Sequence, residues 1–453
     1  MISAAVVGGG VAGLAAARRL GELGVDVTVY EASHRPGGVV RSERSGDWLA
    51  EYGPNTIADP DAELERLFDG LGLAERWTPA SPAARNRYIL RRGRLVPLPL
   101  SPPQLLTTRL FSVRGKAAIL REPFRHSRAR PQDESVADFV RRRFGGEALD
   151  YAAAPFVGGV HAGDAELLSA RHAFPRLVAL ESEYGSVLRG VARSARRRRA
   201  SGKAPGSRLG SFPDGLGELP AALARALGSR LRLRAPVRAV TRVGGGWSVA
   251  TDDAAQDHAA VVWAAPAHAL ARVTLECEGS ELVRELARLP YAPVAVLALG
   301  FRREAVRHPL DGFGVLLPPV EGRRCLGVLF SSTLFPNRAP PDHALLTVFI
   351  GGARHPAAAA LEPPALEALA MEELAPILHL RSDAVWRHHV RWPRAIPQYV
   401  LGHARMLEAM SALEGRNPGL ALAGAYREGI ALTDALRSGL RAAERIAGAA
   451  GSV

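Results

Sequence analysis

A chain of 453 residues, 47% hydrophobic and 23% charged, is long enough for two or three domains and has an ordinary globular composition, which excludes a disordered or fibrous chain. Two cysteines, Cys277 and Cys325, with no CxxC, give neither a disulfide framework nor a thiolate metal site, and a reducing compartment is the expectation. The formal charge of +13 is concentrated in residues 104–205, which hold 19 Lys and Arg against 10 Asp and Glu; this fits a solvated helical face, or attraction to lipid headgroups or an acidic substrate.

The first strand-like run starts within three residues of Met1, so no secretory leader is expected. "AAVVGGGVAGLAAARRLGELGVDVTVYEAS" reads as strand, glycine turn, alanine-rich helix and second strand ending in an acid. Gly8, Gly10 and Gly13 fill a GxGxxG pattern: the tight turn, the approach of a pyrophosphate, and close helix–strand packing. Phosphates then meet free N–H groups at the helix start. Glu31, 18 residues after Gly13, stands where a carboxylate accepts from ribose hydroxyls. The unit predicts a bound dinucleotide. Next comes "HRPGGVVRSE", with Arg35 and Arg41 beside a second turn at Gly37–Gly38, and then "EYGPN" at 51–55.

Residues 100–205 read as helical, rich in arginine and in Leu/Ala/Phe faces, and open on "PLPLSPPQLL", whose prolines break the preceding sheet pattern. Apolar faces ringed by arginine suit a helical region lying in a membrane interface or packed on its neighbours. No apolar stretch approaches the roughly 20 residues needed to cross a bilayer. "RSARRRRASGK" (193–203) lacks interleaved aromatics, so nucleic acid is not expected, and it reads as an exposed linker. In "RWPRAIPQYVLGH" (391–403), Pro393 and Pro397 argue against a regular element. Near the end, "LALAGAYREGIALTDALRSGL" is a strand feeding Gly424, a loop to Gly429 and an Ala/Leu helix. Its N–H groups suit an electron-rich edge of a bound cofactor, with Asp434 in the first turn.

An acid followed by an Arg-x-Gly-Gly segment resembles the FAD-containing amine oxidase superfamily. "DESVADFVRRRFG", "VGGVHAGDAELLSARHAFPRL", "ESEYGSVLRG", "DGFGVLLP" and "RWPRAIPQYVLGH" together resemble the protoporphyrinogen oxidase family, in order from about residue 4 to 445. The resemblance implies an α/β (α+β) fold: a Rossmann-like FAD domain from 1–75, 209–275 and 404–453, a helical membrane-associating subdomain at 100–205, and a mixed-sheet substrate domain at 76–99 and 276–403. It implies non-covalent FAD, since neither cysteine falls in a glycine-turn segment. The cofactor contacts carried over are Gly8, Gly9, Gly10, Val11, Ala12 and Gly13; Glu31, Ala32, Arg35, Gly38 and Val39; Gly53, Pro54, Asn55 and Thr56; Val237 and Trp392; and Gly424, Ala425, Gly429, Ile430, Ala431 and Leu432. Arg87 matches an arginine near a substrate propionate, and Gly159, Phe313, Leu316 and Phe349 match the walls of a flat apolar cavity. His161 is placed at the cavity or in the core.

The implied reaction is a six-electron oxidation of protoporphyrinogen IX with oxygen as acceptor and three peroxides, with the flavin doing the chemistry and no catalytic side chain or metal. A peripheral place on the cytoplasmic membrane, a homodimer and a haem-pathway enzyme receiving the product are also implied. Arg427 departs from the family, standing where an aromatic is common. A coproporphyrinogen-oxidising relative is the rival, disfavoured by Arg87 and Ile396; a non-catalytic flavin-bound interaction protein is the other alternative.

Overall fold

The run SAAVV forms the strand Ser3–Val7, buried on four of its five residues, and lies at the centre of a five-stranded sheet. The computed structural model describes residues 2–125, 133–200 and 208–450. The sheet order is Leu231–Arg232, Asp26–Tyr30, Ser3–Val7, Ala260–Trp263, Leu420–Leu422, every pairing parallel. Parallel neighbours need crossovers, and the helix Val11–Glu22 makes the first one. The helix Leu432–Ala450 lies beside it: a Cβ at position 439 would overlap the carbonyl oxygen of Ala12, so Gly439 lets the two backbones touch.

A second sheet has seven strands in the order Trp386–Pro397, Tyr291–Arg302, His343–Gly351, Cys325–Phe330, Gly312–Leu316, Asn86–Arg91, Arg94–Pro97. Side chains alternate between its faces. One face, with Leu297, Val315, Val328 and Val348, packs on the helix Pro363–Leu378. The other carries Val294, Val296, Trp392 and Phe349. A smaller sheet joins Ala255–His258, Gly246–Ala250, Ala239–Val243 and Thr274–Glu276.

Two expectations are corrected here. Pro393 and Pro397 do not exclude a regular element: both lie in the strand Trp386–Pro397. That strand is at the sheet edge, and its pairing with Tyr291–Arg302 shifts register between Ala292 and Val294. Edges and irregularities are where a strand tolerates a residue without an N–H. The basic run is likewise not a linker through residue 200, because it continues the helix Val187–Ala200. Arginine and alanine are good helix formers, and this propensity prevails over like-charge repulsion. The rest of that run, 201–203, lies outside the described residues.

The helical reading of 100–200 otherwise stands, from Pro102–Thr107 onward, where Pro102 and Pro103 occupy a first helical turn. No helix among the described residues is long and apolar enough to cross a membrane.

Candidate functional site

The first glycine turn is built as a cradle. Gly10 precedes the helix Val11–Glu22, and no side chain caps that helix, so its first N–H groups face outward. A Cβ at position 10 would meet nothing within 4 Å, whereas one at position 13 would overlap the carbonyl oxygen of Gly8. One glycine leaves room for a ligand; the other closes helix onto strand. Glu31 accepts from the Gly9 N–H at 2.6 Å and the Ser33 N–H at 2.7 Å. Each carboxylate oxygen keeps a further lone pair for a hydroxyl. Ala32 follows Glu31 in the same loop.

The second turn is tied to the first. Gly37 N–H donates to Gly9 O at 2.8 Å, and Gly38 packs against Gly10. Arg35 braces this turn by donating to Gly38 O at 2.8 Å; burial, then the nearby Arg41, push its pKa down. Val39 is exposed. Gly53 packs on the Val39 carbonyl, and Asn55 donates to Gly53 O at 3.1 Å. Pro54 and Thr56 are half-buried alongside. Trp392 reaches this turn from the seven-stranded sheet, its indole N–H donating to Tyr52 O at 2.6 Å. Val237 is half-buried against the core that holds Trp263 and Tyr426.

At the third turn Gly424 and Gly429 have φ of +132° and +131°, a region that suits only glycine. Gly424 N–H donates to the buried Ser438 hydroxyl at 2.9 Å. The Tyr399 hydroxyl donates to Ala425 O at 2.5 Å and accepts from Gly429 N–H at 2.8 Å. Ile430 is half-buried, Ala431 exposed and Leu432 buried at the start of the helix Leu432–Ala450. Asp434 faces Gly429, and burial raises its carboxyl pKa. Arg427, the departure in "GAYREG", makes a bidentate pair with Glu414 at 2.7 and 2.8 Å. The residues at all three turns fit an extended dinucleotide: an open cradle, an acid beside it, and a glycine loop at a helix start.

On the facing sheet, Leu316, Gly327, Phe349, Val296 and Val390 stand in register across five strands, so their side chains share one face. Gly327 in the middle packs closely on its neighbour strand, where a Cβ would overlap the Val315 carbonyl oxygen. Gly159, on the helix Ala154–His161, lies over Leu316, where a Cβ would overlap its methyl. Arg87 lies beside Leu316's strand, with its guanidinium 5.3 Å from the ring of Phe313. Arg87 forms no ion pair among the described residues. The structure thus places Gly159, Leu316 and Phe349 on one floor and Arg87 with Phe313 at its side.

His161 is a core residue. Burial pushes its pKa to about 4, its ring stands edge-on to Phe174 at 5.2 Å, and its Nδ1 has no partner. Its carbonyl accepts from Gln398 at 2.8 Å. Tyr399 and Gln398, which link the third turn to this helix, were not singled out from sequence, although both lie within "IPQYVLGH".

The profile of the flavin containing amine oxidoreductases matches residues 11–447. The chain is 34% identical to protoporphyrinogen oxidase 2, chloroplastic/mitochondrial, of Arabidopsis thaliana, over 98% of this chain and 93% of the relative. It is 32% identical to protoporphyrinogen oxidase of Homo sapiens, over 98% of each chain. A solved Exiguobacterium structure, provisionally described as a protoporphyrinogen oxidase, superposes with a TM-score of 0.84 at 23% identity, over 98% of each chain. Cyclohexylamine oxidase from Brevibacterium oxydans shares the fold with a TM-score of 0.71 at 19% identity, over 99% of each.

Proposed function

The chain belongs to the flavin containing amine oxidoreductases, and from that premise we propose that it oxidises protoporphyrinogen IX to protoporphyrin IX. The observation that carries this reading is end-to-end similarity to proteins named protoporphyrinogen oxidase, spanning 98% of the chain. In this reading 1–75, 209–275 and 404–453 form the cofactor unit, 76–99 and 276–403 the substrate unit, and 100–205 a membrane-facing helical unit.

FAD, when bound, supplies two-electron hydride acceptance and returns the electrons to oxygen, so six electrons correspond to three O2 consumed and three H2O2 released. The chain's own residues bind and orient. Gly8–Gly13 and the first turn of Val11–Glu22 hold the pyrophosphate, and Glu31 holds ribose hydroxyls. Gly53–Thr56, Trp392 and the loop Gly424–Leu432 flank the ring. Tyr399 fixes that loop by bridging the Ala425 carbonyl and the Gly429 N–H. Leu316, Phe349 and Gly159 form an apolar floor that excludes water beneath a flat macrocycle, and Arg87 forks onto a propionate carboxylate. Phe313 keeps Arg87 extended towards the substrate.

Exposed Leu100, Leu106, Val113, Leu120, Phe124, Phe156, Val160, Leu167 and Val191 support a peripheral place on the cytoplasmic membrane. A homodimer, and a downstream enzyme that takes the porphyrin, belong to the same reading. The coproporphyrinogen reading is opposed by Arg87 and by Ile396.

An anaerobic bleaching assay on the yellow protein tests the proposal, with protoporphyrinogen IX and coproporphyrinogen III run side by side. Faster bleaching by the first is expected. Arg87→Ala should lower kcat/KM for it by roughly 10–100-fold, the worth of a charged hydrogen bond. Preference for coproporphyrinogen would overturn the assignment, and bleaching by neither would leave a flavin-bound protein without this activity.

A further inference from the structure

A cavity of about 1040 Å³ that none of the glycine-turn residues lines lies between the hairpin 86–97, the helix Pro102–Thr107 and the segment 108–112. None of Gly159, Phe313, Leu316 or Phe349 lines it. Four cations do: Arg91, Arg92, Arg94 and Arg109. The single carboxylate in the lining, Glu147, is already engaged by the Ser112 N–H at 2.7 Å. Three of the arginines come from one tight turn, in which Arg92 takes φ +50° and Gly93 +73°. A two-residue turn of this hand ordinarily uses Asn or Gly, so an arginine there is held at a cost.

Arg91 is the one of the four that is not exposed. Its side chain is 12% exposed and lies 3.9 Å from Glu147 Oε2, and its guanidinium covers the Tyr151 ring at 4.6 Å. Its Nη1 is buried and makes no hydrogen bond, facing Glu147 Oε2 only as a long ion pair at 3.9 Å. A buried charged donor without an acceptor is costly unless a ligand supplies one. Beside the cavity, Leu100, Leu106 and Val113 are 60%, 59% and 83% exposed. The arrangement is amphipathic: a cationic pocket next to an aliphatic apron.

We propose that this cavity seats the phosphate of an anionic phospholipid between Arg91 and Arg109, with the acyl chains lying along Leu100, Leu106 and Val113. Arginine's planar fork matches phosphate oxygens, and aliphatic side chains at the rim suit hydrocarbon rather than a second polar ligand. The proposal rests on the peripheral-membrane reading above and adds the lipid's charge class and its place.

The test uses the FAD-loaded full chain. Sedimentation with vesicles of phosphatidylcholine, with and without phosphatidylglycerol, is run on the wild type, on Arg91→Gln/Arg109→Gln, and on the charge-matched control Arg114→Gln/Arg121→Gln, whose residues do not line the cavity. The cavity variant should lose about 25-fold in affinity for the anionic vesicles, roughly five-fold per arginine, and keep wild-type binding to phosphatidylcholine. The control should lose far less. Equal losses would overturn the site in favour of diffuse surface attraction. Arg109→Gln alone, at an exposed position, repeats the comparison without disturbing the packed Arg91. Calorimetric titration with soluble dihexanoyl-phosphatidylglycerol and with inorganic phosphate separates the sources. Short-chain lipid binding without vesicle binding upholds the site while sinking the membrane reading. Phosphate binding as tightly as the lipid reduces the cavity to an anion site and overturns the proposal, as does no lipid binding at all.

Discussion

Two buried glutamate–arginine pairs, one beside the flavin-side turns and one among the helices, differ in how their carboxylates behave. Glu51, at the end of the strand Trp48–Glu51, lies 3.6 Å from Arg338, with both side chains under 5% exposed. It accepts from the Ser42 hydroxyl at 2.5 Å and the Leu216 N–H at 2.8 Å. Burial nevertheless pushes its carboxyl up to about 7. Glu122 is equally shielded from solvent, but Arg143 donates to it through Nε at 2.8 Å and through Nη2. The Ser186 hydroxyl adds a bond at 2.6 Å, and the Val187 and Leu188 N–H groups add bonds at 3.0 and 3.2 Å, all at the start of the helix Val187–Ala200. Burial pushes this carboxyl up too, yet Ser186, Arg143 and the two amides outweigh it and hold it below the ordinary carboxylate range. Both carboxyls are shielded from solvent, but less protein surrounds Glu122 and more donors lie within bonding distance of it, and together these offset the burial that prevails at Glu51.

The largest test of that contrast is Arg143→Met, which leaves Glu122 charged and without its partner and should cost about 3–5 kcal/mol in denaturant unfolding. Arg338→Met should cost less, because Glu51 can take up a proton. Equal losses would break the comparison. The pH dependence should differ in sign. Glu51 has a folded pKa above its ordinary 4.5, so the stability it contributes is complete below pH 4.5 and falls away as pH rises to about 7, by about 3 kcal/mol. Glu122 is depressed, so its contribution is present above the unfolded pKa and lost as pH falls. In unfolding free energies subtracted from wild type, Glu51→Gln should show its slope between pH 4.5 and about 7, and Glu122→Gln should show a slope of opposite sign below pH 4.5.

Smaller effects sharpen the picture at the cofactor turns. Tyr399→Phe removes one donor and one acceptor from the Gly424–Gly429 loop, at about 1–2 kcal/mol. It should weaken FAD retention about ten-fold and alter the flavin absorbance envelope; an unchanged spectrum and affinity would deny Tyr399 its positioning role. Gly10→Ala should leave apoprotein unfolding within about 0.5 kcal/mol of wild type, because the added methyl meets nothing, while FAD affinity falls. Gly13→Ala, by contrast, should destabilise the apoprotein itself.

What was legible in the sequence was local or carried by motif. The strand–turn–helix–strand unit with Glu31, and the strand feeding Gly424, each lie within thirty residues, where periodicity and glycine spacing report directly. The strand Trp386–Pro397 was missed because its prolines are tolerable only at a sheet edge, and edge position is a property of the assembled sheet. Tyr399 was missed for a related reason: its partners, Ala425 and Gly429, lie 26 and 30 residues away. The pair Glu51–Arg338 joins distant segments and leaves no periodic trace. The arginines of 193–200 misled in the opposite direction, because charge read as exposure hid a helix.

The contact between Gly439 and Ala12 has a consequence for synthesis. The strand Ser3–Val7 emerges from the ribosome some 250 residues before its neighbour Ala260–Trp263 and some 430 before the helix that touches Ala12. At about 5–20 residues per second the nascent sheet waits roughly 20–90 s for completion. During that interval its unpaired strand edges and the bare side of Val11–Glu22 are open to chaperones and to mispairing. The helix Leu432–Ala450 therefore acts as the latch of the fold, and the cofactor's place is finished only once that helix has been made.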